Sequence, residues 1–229
     1  MALRVRVGVI PDAGFREKWC PRSMSTSHQP APPPQPDPGG FARVLDRAFG
    51  HPSGTLGRLG GWLMARGNAA TEQRIVELAR IRPDETVLVV GPGPGVGLDA
   101  ASRLAGRAVG VDPSPEMLAL CHERCGDRAE LREGSAARTG EPGGSIDVVL
   151  TVNNVMLWDD RAAAFAELFR VLRPGGRLLL SAHEKWLPVS RHVLAYEAAE
   201  AGFTDLQTWT WDPPGFAALA AQLRAVKPG

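Results

Sequence analysis

The chain has 229 residues, 44% of them hydrophobic and 22% charged, with a formal net charge of +1. That length suits one domain with a sizeable core plus appendages, and the near-neutral balance gives no electrostatic reason to expect a nucleic acid or an anionic membrane surface as partner. Cys20, Cys121 and Cys125 are too few for a disulfide framework, no apolar run approaches the roughly 18 residues of a membrane span, and the N-terminus lacks an apolar signal core. The expectation is a cytoplasmic protein that binds neither nucleic acid nor membrane; its oligomeric state leaves no trace in the sequence.

The first 40 residues lack the composition of a core. Residues 1–23 are arginine-rich without periodicity, and Gln29-Pro-Ala-Pro-Pro-Pro-Gln-Pro-Asp-Pro-Gly-Gly40 is proline-rich and polar, which favours an extended or disordered tail. A natural start at Met24 rather than Met1 is one reading of the change in composition there. Phe41, Val44, Leu45, Ala48 and Phe49 then recur at helical spacing. After a glycine-interrupted stretch, residues 71–80 repeat the pattern with Ile75, Val76, Leu78 and Ala79 inward. Residues 41–80 are expected to form a helical cap.

Next comes Val87-Leu-Val-Val-Gly-Pro-Gly-Pro-Gly-Val-Gly97. Strand-favouring aliphatic residues run into glycines that let the backbone turn sharply and approach a ligand. Leu98 to Leu104 has the composition of a helix. Strand, glycine turn and helix start make a nucleotide-type pocket at the carboxyl edge of a parallel sheet. The spacing is Gly-x-Gly-x-Gly. The dinucleotide fingerprint would need its third glycine where Val96 stands, and no lysine is present for a P-loop. Ala108 to Val111 is a second short strand ending at Asp112, a position suited to a carboxylate that accepts hydrogen bonds from a ribose diol. That placement indicates a nucleoside without naming it.

Pro113-Ser-Pro-Glu-Met-Leu opens a helix, since proline in a first turn costs no hydrogen bond. Cys121 and Cys125 sit one turn apart beside His122, but a metal set would need further ligands, and no metal is expected. Ala129 to Arg132 reads as the third strand. Ser145 to Val152 reads as the fourth, apolar enough for burial on both faces. Asn153, Asn154, Met156 and Trp158 follow at its carboxyl end. Arg161 to Leu172 is an amphipathic helix with Phe165, Leu168, Phe169 and Leu172 inward. Arg173-Pro-Gly-Gly leads into a fifth strand, and a loop containing His183 follows it. A helix from Arg191 to Ala201 stops at Gly202, and Phe203 to Trp211 is a strand.

The glycine stretch resembles the first motif of class I S-adenosyl-L-methionine (SAM) dependent methyltransferases, in particular the type 11/25-like small-molecule enzymes. Asp112, Ser114 and Met117 match the family's Asp-x-Ser-x-x-Met segment, and Arg173-Pro-Gly-Gly-Arg177 resembles its turn into strand five. The similarity spans roughly residues 71–227. It implies an α/β fold, a Rossmann-like seven-stranded mostly parallel sheet with helices on both faces. The core would run over residues 81–229, with residues 216–226 as an antiparallel closing strand. The helical cap would act as a lid. The resemblance assigns SAM to Gly91, Gly93, Gly95, Asp112, Pro113, Met117, Ser135, Ala136 and Asn153. It puts a small organic acceptor near Asn154, Trp158, Trp62 and Met64; His183, by its place after the fifth strand, is the candidate catalytic base. Two departures matter. Val89 stands where the family often has Asp or Glu, and Ser135 where it usually has Asp. Both remove carboxylates, so weaker cofactor binding is expected, at about 1.5–3 kcal/mol for each hydrogen bond to a charged group. A non-catalytic binding protein on the same fold and an NAD(P)-dependent oxidoreductase are the alternative readings.

Overall fold

The computed structural model describes residues 68–214 and 219–229. The proline-rich tail, most of the expected cap, the lid residues Trp62 and Met64, and Phe216 lie outside them. Helix α1 covers residues 68–79. It is followed by β1 (Thr86–Val90), α2 (Val96–Ser102), β2 (Arg107–Asp112), α3 (Pro115–Cys125), β3 (Glu130–Glu133) and β4 (Ile146–Val152). Then come α4 (Arg161–Val171), β5 (Leu172–His183), α5 (Arg191–Glu200), β6 (Thr204–Trp211) and β7 (Ala220–Val226).

The strands form one seven-stranded sheet in the order β3-β2-β1-β4-β5-β7-β6. Strands β1 to β5 run parallel, and β7 is antiparallel to both of its neighbours. This is the Rossmann-like arrangement expected from the sequence. The chain leaves β1 toward β2 and β3 on one side, then crosses to β4 on the other. Strands β1 and β4 therefore flank the switch point at which open α/β sheets bind ligands.

Alternation along the strands divides the core in two. Val87 and Val89 join Val148 and Leu150 beneath α1, α2 and α3, against Ile75, Val76, Leu98 and Cys121. Leu88 and Val90 turn the other way, toward Phe165 and Leu168 of α4 and Leu194 of α5. A central strand buried on both faces reads as a continuous aliphatic run for this reason.

Helix ends follow local chemistry. Ser114 Oγ accepts from Met117 N at 3.2 Å, with Pro115 at the first turn of α3. Asp160 caps α4 by accepting from Ala163 N at 2.9 Å. After α5, Gly202 adopts φ 104° while Gly202 N and Phe203 N donate back to Ala199 O and Ala198 O. The observed α2 begins at Val96, two residues earlier than its composition suggests, because left-handed Gly95 already turns the chain into helical geometry. Strand β5 reaches back to Leu172, which pairs with Ile146 across an irregularity in register.

The amino-terminal edge of the sheet is tied by ions. Buried Glu85 takes both Arg177 Nη1 and Nη2, at 2.8 and 2.9 Å. Arg177 also donates to Ala79 O and Arg80 O, locking the end of α1 to β5. Arg173 pairs with buried Asp147, whose other oxygen accepts from Thr86 N at 2.8 Å. Arg107 bridges Glu130 and buried Glu141 at 2.8 and 3.0 Å.

Candidate active site

The glycine turn leaves its backbone open to a ligand. Gly91, Gly93 and Gly95 have φ of 63°, 51° and 84°, where L side chains are strained. Gly91 N donates to Val111 O at 2.8 Å and fastens the turn to the end of β2. From α3, Arg124 Nε donates to Pro94 O at 2.7 Å. Cys121 and Cys125 are buried, and a Cβ on Gly95 would lie 2.7 Å from Cys121 Sγ. They serve as small packing residues facing one way.

Helix α2 lacks a side-chain cap of its own. Glu72 of α1 supplies one, accepting from Gly97 N through Oε2 at 2.5 Å. A Cβ at Gly97 would stand 3.0 Å from that oxygen, so the fourth glycine makes room for the carboxylate rather than for a ligand. Burial pushes Glu72 up from 4.5 to about 7, opposed by the Gly97 N–H and by Arg124. Glu72, Val89, Gly91, Gly97, Leu150 and Val152 line a narrow cleft, open to solvent, between α1 and the carboxyl ends of β1 and β4.

Asp112 ends β2 beside this turn and is buried. Its Oδ1 accepts from Ser114 N at 2.9 Å, and the Gly93 N–H is a second main-chain partner. Burial raises its pKa while those two N–H groups oppose the rise. Among the described residues it has no ion-pair partner. A buried carboxylate held only by backbone N–H groups keeps acceptor capacity for a ligand's hydroxyls. Positive-φ glycines, an unpaired carboxylate at the end of β2 and a cleft at the switch point fit a nucleoside-bearing cofactor. Met117 is buried behind this end and Pro113 is exposed at the rim. Ala136 is buried and Ser135 is exposed, the latter in a tight turn where its N–H donates to Arg138 O at 3.0 Å.

Asn153 leaves β4 in the left-handed region, at φ 49°, which asparagine tolerates better than most residues. Its Nδ2 donates to Asn68 Oδ1 and its Oδ1 accepts from His183 N, each at 2.9 Å. The side chain is thus a strut joining α1, β4 and β5. Asn154 lies over Gly91, whose missing Cβ would collide with it. Its Oδ1 accepts from Trp158 Nε1 at 2.5 Å, and Trp158 packs edge-on against Phe165. His183 is buried with its ring edge-on to Trp186, centroids 4.6 Å apart.

The family described as "Methyltransferase domain" matches residues 88–180, from β1 through the glycine turn to β5. The chain carries a class I SAM-dependent methyltransferase domain. The uncharacterized methyltransferase YdaC of Bacillus subtilis is 27% identical over 159 residues, 65% of this chain and 87% of that protein. Phosphoethanolamine N-methyltransferase 1 of Arabidopsis thaliana is 30% identical over 149 residues, 62% of this chain but 30% of that longer enzyme. In fold, the Haemonchus contortus phosphoethanolamine N-methyltransferase 2 complex with S-adenosyl-L-methionine superposes with a TM-score of 0.66. The match has 18% identity and covers 82% of this chain and 60% of that one.

Within this methyltransferase, the sequence located the glycines, Asp112, Asn153, Asn154 and His183 at one end of the sheet, and the structure brings them there. It did not single out Glu72, Asn68 or Arg124. For Glu72 a signal existed. Positions 72, 75, 76 and 79 form one helical stripe, and a glutamate on an otherwise apolar stripe is out of place unless it has a partner.

Proposed function

We propose that this methyltransferase transfers the methyl group of SAM to a small organic acceptor bound at the carboxyl edge of β4 and β5. In this reading Gly91, Gly93 and Gly95 approach the cofactor through their backbone, and Asp112 accepts from the ribose hydroxyls. Pro113, Met117, Ser135 and Ala136 border the adenine, and Asn153 shapes the wall between cofactor and acceptor. Asn154 and Trp158 face the acceptor, together with Trp62 and Met64 from outside the described residues. When bound, SAM supplies an electrophilic methyl on a sulfonium. The chain's part is to orient the acceptor in line with it and to exclude water. His183 is the candidate proton acceptor for a hydroxyl or carbon acid.

The observation that carries this reading is the convergence of the left-handed glycine turn and Asp112, which Gly93 and Ser114 hold without a cation. A small acceptor is supported by the amide and aromatic side chains at the acceptor end and by the likeness to a phosphoethanolamine methyltransferase. Methyl transfer from labelled SAM to a panel of small amines, alcohols and carbon acids tests it. Turnover of at least one class supports the reading. Cofactor binding without transfer to any of them favours the non-catalytic alternative, which Val89 and Ser135 motivate.

A further inference from the structure

Glu72 belongs to no motif of the glycine turn, yet its carboxylate reaches the turn from the preceding helix and bonds it directly. Three observations converge on it. Its carboxylate bonds Gly97 N, the amide that the uncapped start of α2 leaves free. Its side chain fills the space that Gly97 vacates, with Cβ and Cγ 3.3 and 3.6 Å from where a Cβ would be. Finally, Glu72 and Val89 line the same cleft, since Val89 points to the α1 side of the sheet.

We propose that Glu72 is the positioning carboxylate of this cofactor site: it fixes the glycine turn through Gly97 and presents negative charge to the cleft, favouring a cationic group on the bound cofactor. This rests on reading the cleft as the SAM site. A carboxylate from α1 thereby takes up the role left open by Val89, reaching the turn from the preceding helix instead of from the strand. The other charged and titratable groups around Glu72 are Arg124 and Cys121 of α3, with Asp112 beyond Cys121. From β1 and β4 the facing residues are Val89, Leu150 and Val152, which do not titrate.

The carboxylate is partly protonated near neutral pH, because burial raises it to about 7. A cation arriving in the cleft stabilises the ionised form, so binding releases a proton below that pH. Affinity for S-adenosylhomocysteine, whose amino group is such a cation, is therefore expected to tighten several-fold between about pH 6 and pH 8.

The test is calorimetric titration of the full chain with S-adenosylhomocysteine at about pH 6 and pH 8 in buffers of different ionisation enthalpy, which counts the protons released. Wild type is compared with Glu72→Gln, Glu72→Asp and the double variant Glu72→Ala/Val89→Asp, with unliganded melting followed in parallel. The expected result has three parts. Glu72→Gln binds about tenfold more weakly at the higher pH. It also loses proton release while keeping its fold. Glu72→Asp or the double variant recovers part of the affinity. Equal affinity and equal proton release in wild type and Glu72→Gln overturn the proposal and leave the cofactor reading intact. Absence of binding by wild type at either pH overturns the cofactor reading and this inference with it.

Discussion

Two buried glutamates at opposite ends of β1 have opposite chemistry. Glu85, at the amino-terminal edge, receives two bonds from Arg177 and one from Arg82 N. Arg177 holds its carboxyl down at about 2, against the effect of burial. Glu72, at the carboxyl-terminal edge, has one backbone N–H and a more distant Arg124, and burial raises it to about 7. The same division holds for β1 and its neighbours β2 and β4. One edge is closed by Glu85–Arg177, Asp147–Arg173 and Arg107–Glu141. The other carries glycines at positive φ, Asp112 without a cation, and Asn153 in the left-handed region. The paired edge holds the fold, and the unpaired edge keeps its charges available for a ligand.

The sharpest way to break this comparison is to remove one member of the paired edge. Glu85→Ala strands Arg177 beneath α1 and is expected to cost about 3–5 kcal/mol, read as a large fall in chemical-denaturation midpoint. A loss below about 1 kcal/mol would show that the edge is not held by this pair. The two glutamates also act in opposite pH directions. The stability that Glu85 supplies is present above its unfolded value of 4.5 and is lost as pH falls toward 2. For Glu72, folded stability is greatest below 4.5 and declines as pH rises through about 7. The stability of Glu72→Gln relative to wild type should therefore increase over that window, by up to on the order of 3 kcal/mol. A flat difference in melting between those pH values would mean that burial does not raise the Glu72 pKa.

At the acceptor end, His183→Gln is expected to lower kcat about a hundredfold while leaving cofactor affinity unchanged, once an acceptor is in hand. Unchanged kcat would reduce His183 to a wall of the acceptor site. The smallest effect belongs to Asn68→Ala. Loss of its bond to Asn153 Nδ2 should cost about 1 kcal/mol, read by denaturant titration. No change in stability would mean that Asn153 is held well enough by β5 alone.

Much of this was legible in the sequence. The order of elements through β6 followed from periodicity, because a parallel sheet covered on both faces forces continuous apolar strands such as Ile146–Val152, and the closing strand followed from the family resemblance. The glycine turn and Asp112 were visible because their roles depend on residue type at fixed places along one stretch of chain. What stayed hidden depends on contacts across the fold. The Glu72–Gly97 bond joins two helices on either side of β1, and Asn153 draws Asn68 and His183 together from elements far apart in the chain. Local patterns carry no information on such partners. Val89 and Ser135 put no carboxylate where the family's motifs carry one. The structure adds a carboxylate from α1 that the comparison of motifs did not include.

The most direct test of the account is calorimetric titration of the protein with S-adenosylhomocysteine beside Asp112→Ala. Wild type is expected to bind at micromolar concentration and the variant at least about a hundredfold more weakly, while the unliganded variant keeps a cooperative melting transition. No binding by wild type, or equal binding by the two proteins, would contradict it.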